Sequence, residues 1–183
     1  MTIMTTTIHD DRVWTRAERD ALPDERHRYE LLDGALIVSA APRPIHQIVV
    51  FGLYRQLYAA CPPHLLILGA PLDIDLAQDS VLEPDLLVAR RDQFDDRGLP
   101  GRPELAVEVL SPSSRRIDRV LKRERYERAA TPAYWIVDPD GPSLTAYELR
   151  GGRYELSAQV GPGQAWTAAV PFEVTLTPQR WAD

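Results

Sequence analysis

Cysteine is almost absent from this chain, which has Cys61 alone among its 183 residues. One thiol cannot form an intrachain disulfide, and no cysteine cluster exists that could hold zinc or an iron–sulfur centre. Any bound metal is therefore expected on oxygen or imidazole ligands. His9, His27 and His64 are scattered along the chain and form no metal-ligand spacing.

Long apolar runs are also missing, since no segment approaches the roughly 18 consecutive apolar residues of a membrane span. The first residues contain no cationic region followed by an apolar stretch, so we expect no secretory signal and a cytoplasmic location.

We find no internal repeat, linker or low-complexity segment. The length falls in the usual range of roughly 100–200 residues per domain. We expect a single domain over 1–183, with 1–13 as a loose N-terminal segment.

A basic excess, typical of nucleic-acid-binding proteins, is missing from the chain as a whole, whose net charge is −6. The segment 115–128 differs, with seven basic and three acidic side chains and a local net charge of +4. This segment is either a solvated helix with ion pairs between successive turns or a surface that faces phosphates.

The pattern of apolar residues predicts alternating helices and strands. Thr15 and Glu18 have capping-box spacing for a short helix at 15–22, and Asp33-Gly34 indicates a hairpin at about 28–39. An amphipathic helix is expected at 45–60, followed by three or four short strands from residue 65.

The second half continues with a helix at 115–129, in which Ile117, Val120 and Leu121 are expected to pack inward. The run AYWIVD then predicts a strand, and Gly151-Gly152 predicts a C-terminal hairpin. The order of elements predicts an α/β fold, a mixed sheet with helices covering its faces.

Two carboxylates occupy apolar strands, where an unpaired ion would cost several kcal/mol. Glu108 lies within LAVEVL, and Asp85 follows Pro84 at the start of another strand. If these strands are neighbours, the two carboxylates converge and offer hard oxygen ligands for Mg²⁺ or Mn²⁺. Asp118 and Lys122 share one face of the following helix, near the end of the Glu108 strand.

Each of these residues also has a structural explanation. A partly buried glutamate can pair with an arginine, a Pro-Asp dipeptide can shape a turn, and a helix lysine is normally exposed. One site would explain Asp85, Glu108 and Lys122 together.

Several motifs resemble a known family: YELLDG, PIHQ, EPDLLV, LAVEVLSPSS, D-x-x-x-K-x-x-x-Y and PAYWIVDP. They look like the Uma-type putative restriction endonucleases, a bacterial group with the PD-(D/E)XK nuclease fold, and the resemblance runs from about Arg28 to Tyr147. It implies a restriction-endonuclease-like mixed β-sheet flanked by helices, with N- and C-terminal β-hairpins.

The resemblance further implies a DNA endonuclease in which Asp85 and Glu108 bind Mg²⁺ and a lysine assists the attacking water. Leu110 stands where the standard motif has its lysine, and Lys122 on the next helix matches the family's displaced one. Glu30 corresponds to another acidic family position, either near the metal or paired with an arginine of the hairpin. His46 could touch the site, but we favour a surface or helix-capping role.

Two functions remain open at this stage. One is a metal-dependent nuclease acting on DNA, for which a homodimer is expected because a duplex presents two strands related by approximate two-fold symmetry. The other is a catalytically silent interaction module that keeps the nuclease fold. Glycoside hydrolysis by a carboxylate pair is weaker, since the chain offers no aromatic platform for a sugar.

Overall fold

The fold is mixed α/β, as the order of apolar runs predicts. The computed structural model describes residues 6–23 and 27–181. The strands are β1 (Thr7–His9), β2 (Arg28–Leu32), β3 (Ala35–Ser39), β4 (Leu65–Gly69), β5 (Ile74–Ala77), β6 (Ser80–Leu82), β7 (Leu86–Arg90), β8 (Leu99–Pro100), β9 (Leu105–Val109), β10 (Ala133–Asp138), β11 (Ser143–Arg150), β12 (Arg153–Val160), β13 (Trp166–Ala168) and β14 (Val174–Leu176). The helices are α1 (Arg16–Asp20), α2 (Pro44–Ala60), a π-helical segment (Ile117–Lys122), α3 (Arg123–Arg128) and two 3₁₀ turns (Arg91–Gln93 and Pro178–Trp181).

The strands form two six-stranded sheets, where the sequence predicted one sheet. The central sheet has the order β12-β11-β10-β9-β7-β4, and the outer sheet has the order β1-β3-β2-β6-β5-β8. A separate pair, β13 and β14, lies near the C-terminal end of the described residues. The division into two sheets was not part of the prediction, because sheet membership depends on long-range pairing, which apolar patterning within one strand does not encode.

Both predicted hairpins are confirmed, and their turns explain why. Leu32 pairs with Ala35, so Asp33 and Gly34 form a two-residue loop with φ of 50° and 79°. Positive φ at both central residues is the geometry of a primed turn, which suits the right-handed twist of paired strands. The loop between β11 and β12 has the same character at Gly151-Gly152.

The N-terminal region is more ordered than expected. Thr7–His9, within the segment predicted to be loose, pairs antiparallel with β3 as an edge strand. Residues 1–5 of that segment lie outside the described residues. The predicted capping box is present, because the Thr15 side chain accepts from the Glu18 backbone and the Glu18 carboxylate accepts from the Thr15 backbone. These reciprocal bonds satisfy donors that the first helical turn leaves open.

The helix α2 covers one face of the central sheet. Its Val49, Leu53 and Leu57 are fully buried there, and each such side chain contributes about 1.5–3 kcal/mol through burial. Gly52 on the same helix lies so close to the backbone of Trp181 that a Cβ atom would overlap it. The close approach fixes α2 against the C-terminal 3₁₀ turn.

The opposite face of the central sheet packs against the outer sheet and against the helix after β9. That helix begins with the π-helical segment and continues as α3, within the predicted range of 115–129. Ile117 is buried as expected, whereas Val120 and Leu121 are 40% and 39% exposed, so their predicted inward packing was wrong. The wider π turn shifts the inward face onto Asp118, Lys122 and the residues of the next turn.

Candidate active site

The two predicted carboxylates lie side by side at one end of the central sheet. Strands β7 and β9 are antiparallel neighbours with Leu86 opposite Val107, so one further step places Asp85 opposite Glu108. Both side chains belong to the face that packs against the outer sheet, because they alternate with residues that contact α2. The Oδ2 atom of Asp85 accepts the backbone N–H of Val109 at 2.7 Å, which fixes this carboxylate beside β9.

Lys122 joins Glu108 to a third carboxylate. Its Nζ donates to Glu30 Oε1 at 2.8 Å and to Glu108 Oε1 at 3.0 Å, and it lies 3.8 Å from Asp118 Oδ1. All four side chains are at most 2% exposed. Asp118 and Lys122 share the inward face of the helix, as their spacing predicted. Glu30 reaches the group from β2 of the outer sheet.

Lys122 is the only lysine in the chain, which has 20 arginines. An ammonium is compact, whereas a guanidinium is a wide planar fork, and the space between Glu30 and Glu108 holds a single donor atom. This compositional contrast is a signal in the sequence that marks Lys122 more strongly than its helical spacing does.

Arg28 is a second cation of the cluster, and no pattern in the sequence selected it. Its Nη1 donates to Asp85 Oδ1 at 3.1 Å, and its Nε lies 3.5 Å from Glu30 Oε2. Glu30 also accepts the backbone N–H of Glu83 at 2.8 Å. Glu30 therefore lies beside an arginine of the hairpin, as one of its two alternatives required, and it also contacts Lys122, while its role at a metal stays a prediction.

His46 belongs to this site, and the expectation of a surface or capping role was wrong. It is 7% exposed, and its Nε2 lies 3.1 Å from Asp85 Oδ2. His46 is the third residue of α2 and shares the inward stripe with Val49, Val50 and Leu53. A histidine three, four and seven positions before buried apolar residues is directed inward, and this spacing was visible in the sequence.

The site contains more buried acid than base. Four carboxylates (Glu30, Asp85, Glu108 and Asp118) face two permanent cations, Arg28 and Lys122.

Two of the four carboxylates have a pKa above the ordinary value, and the other two have a pKa below it. Burial raises the pKa of Glu108 well above its ordinary value despite Lys122, and burial raises that of Asp118 to about 6. Burial opposes the ionisation of Asp85 too, but its hydrogen bond with His46 and the charge of Arg28 hold its pKa below the ordinary value. The pKa of Glu30 is lowered because Lys122 and Arg28 outweigh burial.

The donor set fits a divalent cation in kind. Carboxylate oxygens are the ligands that Mg²⁺ and Mn²⁺ prefer, and four carboxylates outnumber the two cations. Buried Glu30 Oε2 and Asp118 Oδ1 make no hydrogen bond within the described part of the chain. The same part contains no preformed group of three or more histidine, cysteine or acidic side chains placed to hold a metal. Arg28 and Lys122 lie among the carboxylates instead.

Two arginines lie near the end of the central sheet that carries the cluster. Arg115 pairs with Asp138 at the end of β10, next to the end of β9, and Arg43 before α2 pairs with Asp140. Of the seven basic side chains in 115–128, Lys122 and Arg125 are buried. The remaining five are at least partly exposed. The inward side of this helix therefore contributes to the buried charge cluster, and its outward side forms a basic surface.

Comparison with known proteins agrees with the fold. A family model, Uma2, described as a putative restriction endonuclease, matches residues 16–179. A crystal structure of a putative nuclease belonging to DUF820, from Anabaena variabilis ATCC 29413, superposes with a TM-score of 0.70 at 17% identity. The match covers 92% of this chain and 97% of that one, which confirms the restriction-endonuclease-like fold. No curated protein matches the chain. Within the described residues, no helix is long and apolar enough to cross a membrane.

Proposed function

Because this chain belongs to the Uma2 family of putative restriction endonucleases, we propose that it is a divalent-metal-dependent endonuclease that hydrolyses phosphodiester bonds in DNA. The observation that carries the proposal is the convergence of Asp85, Glu108 and Lys122 at one end of the central sheet. Three residues from three separate elements meet there, although an isolated charge at any of these positions would be costly.

In this proposal Asp85 and Glu108 hold Mg²⁺ or Mn²⁺, with Glu30 as an additional carboxylate. When bound, the cation supplies a Lewis acid and lowers the pKa of a bound water. His46 and the Val109 N–H both contact Asp85 Oδ2 and so fix the direction of its other oxygen, Oδ1. Arg43 and Arg115, which pair with Asp140 and Asp138 beyond the same end of the sheet, are the cations that we propose for contacts with phosphates beside the cleaved bond.

Lys122 acts in this scheme as a fixed positive charge. Burial by itself would lower its pKa, but the carboxylates of Glu108 and Glu30 outweigh burial and raise it. An ammonium that stays protonated cannot remove a proton from water. It can stabilise the charge that develops on the phosphoryl group and keep Glu108 oriented.

A calorimetric Mn²⁺ titration tests the metal site without a guess about the substrate. We expect the wild-type protein to bind Mn²⁺ and the isosteric variants Asp85→Asn and Glu108→Gln to lose binding. Asp92→Asn is the matched control, because Asp92 is an exposed carboxylate beyond the far end of β7. Cleavage of supercoiled, linear and single-stranded DNA with Mg²⁺ or Mn²⁺ then tests the reaction.

A second candidate is a catalytically silent interaction module with the nuclease fold. The observation that favours it is the presence of Arg28 and Lys122 among the carboxylates, where they already neutralise part of the charge. This candidate predicts no Mn²⁺ binding by the wild-type protein and no cleavage of any DNA form. Binding that Asp85→Asn and Glu108→Gln leave intact would also contradict the nuclease proposal.

We further propose that the nuclease is a homodimer, since cleavage of both strands of a duplex calls for two sites related by two-fold symmetry. Sedimentation equilibrium with and without duplex DNA measures the mass. A monomer under both conditions would contradict this part of the proposal alone.

A further inference from the structure

Arg28 lies on the solvent side of the buried charge cluster. Its side chain is 24% exposed, whereas the side chain of Lys122 is 1% exposed. Arg28 is the first residue of β2, so its long side chain can turn toward solvent without disturbing the pairing of later residues. Lys122 has no such freedom, because the carboxylates of Glu30, Glu108 and Asp118 surround it.

The two oxygens of Asp85 have different surroundings. Oδ2 contacts His46 and the backbone N–H of Val109, which are parts of α2 and β9. The partner of Oδ1 among the described residues is Arg28 Nη1, at 3.1 Å. Oδ1 is therefore the oxygen that Asp85 could offer to another cation, and Arg28 is the group that such a cation would have to replace.

The same arginine is close to a second candidate ligand. Its Nε lies 3.5 Å from Glu30 Oε2, a buried oxygen that makes no hydrogen bond with residues 6–23 or 27–181. A divalent cation at Asp85 would lie within a few ångströms of the guanidinium. Two positive charges at that separation in a partly buried site repel each other by several kcal/mol, roughly 4 per pair of unit charges.

We propose that Arg28 is a resident counter-ion, which neutralises Asp85 and Glu30 in the metal-free protein and turns toward solvent when a divalent cation binds. This inference rests on the proposed function, because it takes Asp85 as a metal ligand. Arg28 then has two opposite effects: it stabilises the metal-free fold and it weakens metal binding. A purely structural arginine would stabilise the fold without weakening metal binding.

The test compares Mn²⁺ titrations of the wild-type protein with those of Arg28→Gln and Arg28→Lys. Glutamine removes the charge but keeps an N–H donor, so we expect Mn²⁺ to bind about tenfold more tightly or better. Lysine keeps the charge, and we expect an affinity close to that of the wild type. Thermal denaturation is the second readout: Arg28→Gln lowers the melting temperature without metal and gains more from Mn²⁺ than the wild type does.

An unchanged or weaker Mn²⁺ affinity in Arg28→Gln would overturn the counter-ion role. If the wild type binds Mn²⁺ and Asp85→Asn does not, that result would leave the proposed function intact. Absence of Mn²⁺ binding in the wild type would end both proposals. If Arg28→Gln does not fold without metal, circular dichroism must show that Mn²⁺ restores its secondary structure, and failure to do so would also overturn the role.

Discussion

Replacement of Lys122 by methionine removes the ammonium that bridges Glu30 and Glu108 and leaves a side chain of similar length. Lys122 Nζ makes hydrogen bonds of 2.8 and 3.0 Å to these carboxylates, and all three side chains are 1% exposed. Removing one partner of a buried ion pair costs about 3–5 kcal/mol, because the other charge stays buried and unpaired. We expect Lys122→Met to lose this much unfolding free energy at pH 8.

The loss should shrink at lower pH. In the wild type the pKa of Glu30 is lowered, chiefly by Lys122 against the effect of burial, so Glu30 contributes stability above its unfolded pKa. Without Lys122, we expect burial to outweigh the charge of Arg28 and to raise the folded pKa of Glu30, so that the variant loses stability as the pH rises past the unfolded value of about 4.3. Each additional proton bound by the folded variant changes the difference in unfolding free energy between wild type and variant by about 1.4 kcal/mol per pH unit.

Urea denaturation at pH 5.5 and pH 8 measures the difference directly. Arg119→Met is the matched control, since Arg119 is an exposed cation of the same π-helical segment, and we expect a change within about 0.5 kcal/mol. A loss below about 1 kcal/mol for Lys122→Met, or an equal loss at both pH values, would refute the reasoning.

Three further predictions follow from the same geometry. Mn²⁺ binding should release protons, because burial raises the pKa of Glu108 above its ordinary value and a carboxylate that binds the cation must be deprotonated; calorimetry in buffers of different ionisation enthalpy should show the release, and a buffer-independent enthalpy would contradict this. His46→Ala should cost about 1.5–3 kcal/mol in urea denaturation through the lost charged hydrogen bond, whereas His64→Ala at an exposed position should be nearly neutral. Gly52→Ala should destabilise by about 1–3 kcal/mol or more through overlap with the backbone of the C-terminal 3₁₀ turn. Gly141→Ala, with open space around it, is the control, and equal effects would count against the close approach.

The parts of this fold that sequence predicts well are those with local causes. Asp33-Gly34 adopts the positive φ values that its hairpin requires, and the capping box at Thr15 forms between residues three positions apart. The convergence of Asp85 and Glu108 was expected on the condition that their strands are neighbours, and the pairing of β7 with β9 meets that condition.

The remaining features depend on contacts between distant segments. Nothing near Arg28 in sequence shows that its guanidinium contacts Asp85, 57 positions away. An arginine is exposed by default, so its contacts with the cluster become visible only when the outer sheet meets the central one. Val120 was misplaced for a related reason: a regular helical period was assumed where the chain forms a π turn. The metal-binding and catalytic roles of Asp85 and Glu108 stay predictions.

The single lysine makes this site unusually simple to follow by chemistry. Apart from the N-terminal amine, Lys122 is the only primary amine in the chain, and it is almost fully buried. An amine-reactive reagent can therefore label the site only when the cluster opens. The first label is expected on the N-terminal amine and the second on Lys122. The rate at which the second label appears in intact-mass spectra therefore measures how often the cluster opens, and it needs neither an engineered probe nor a substrate. Slower labelling in the presence of Mn²⁺ would indicate that the cation closes the cluster.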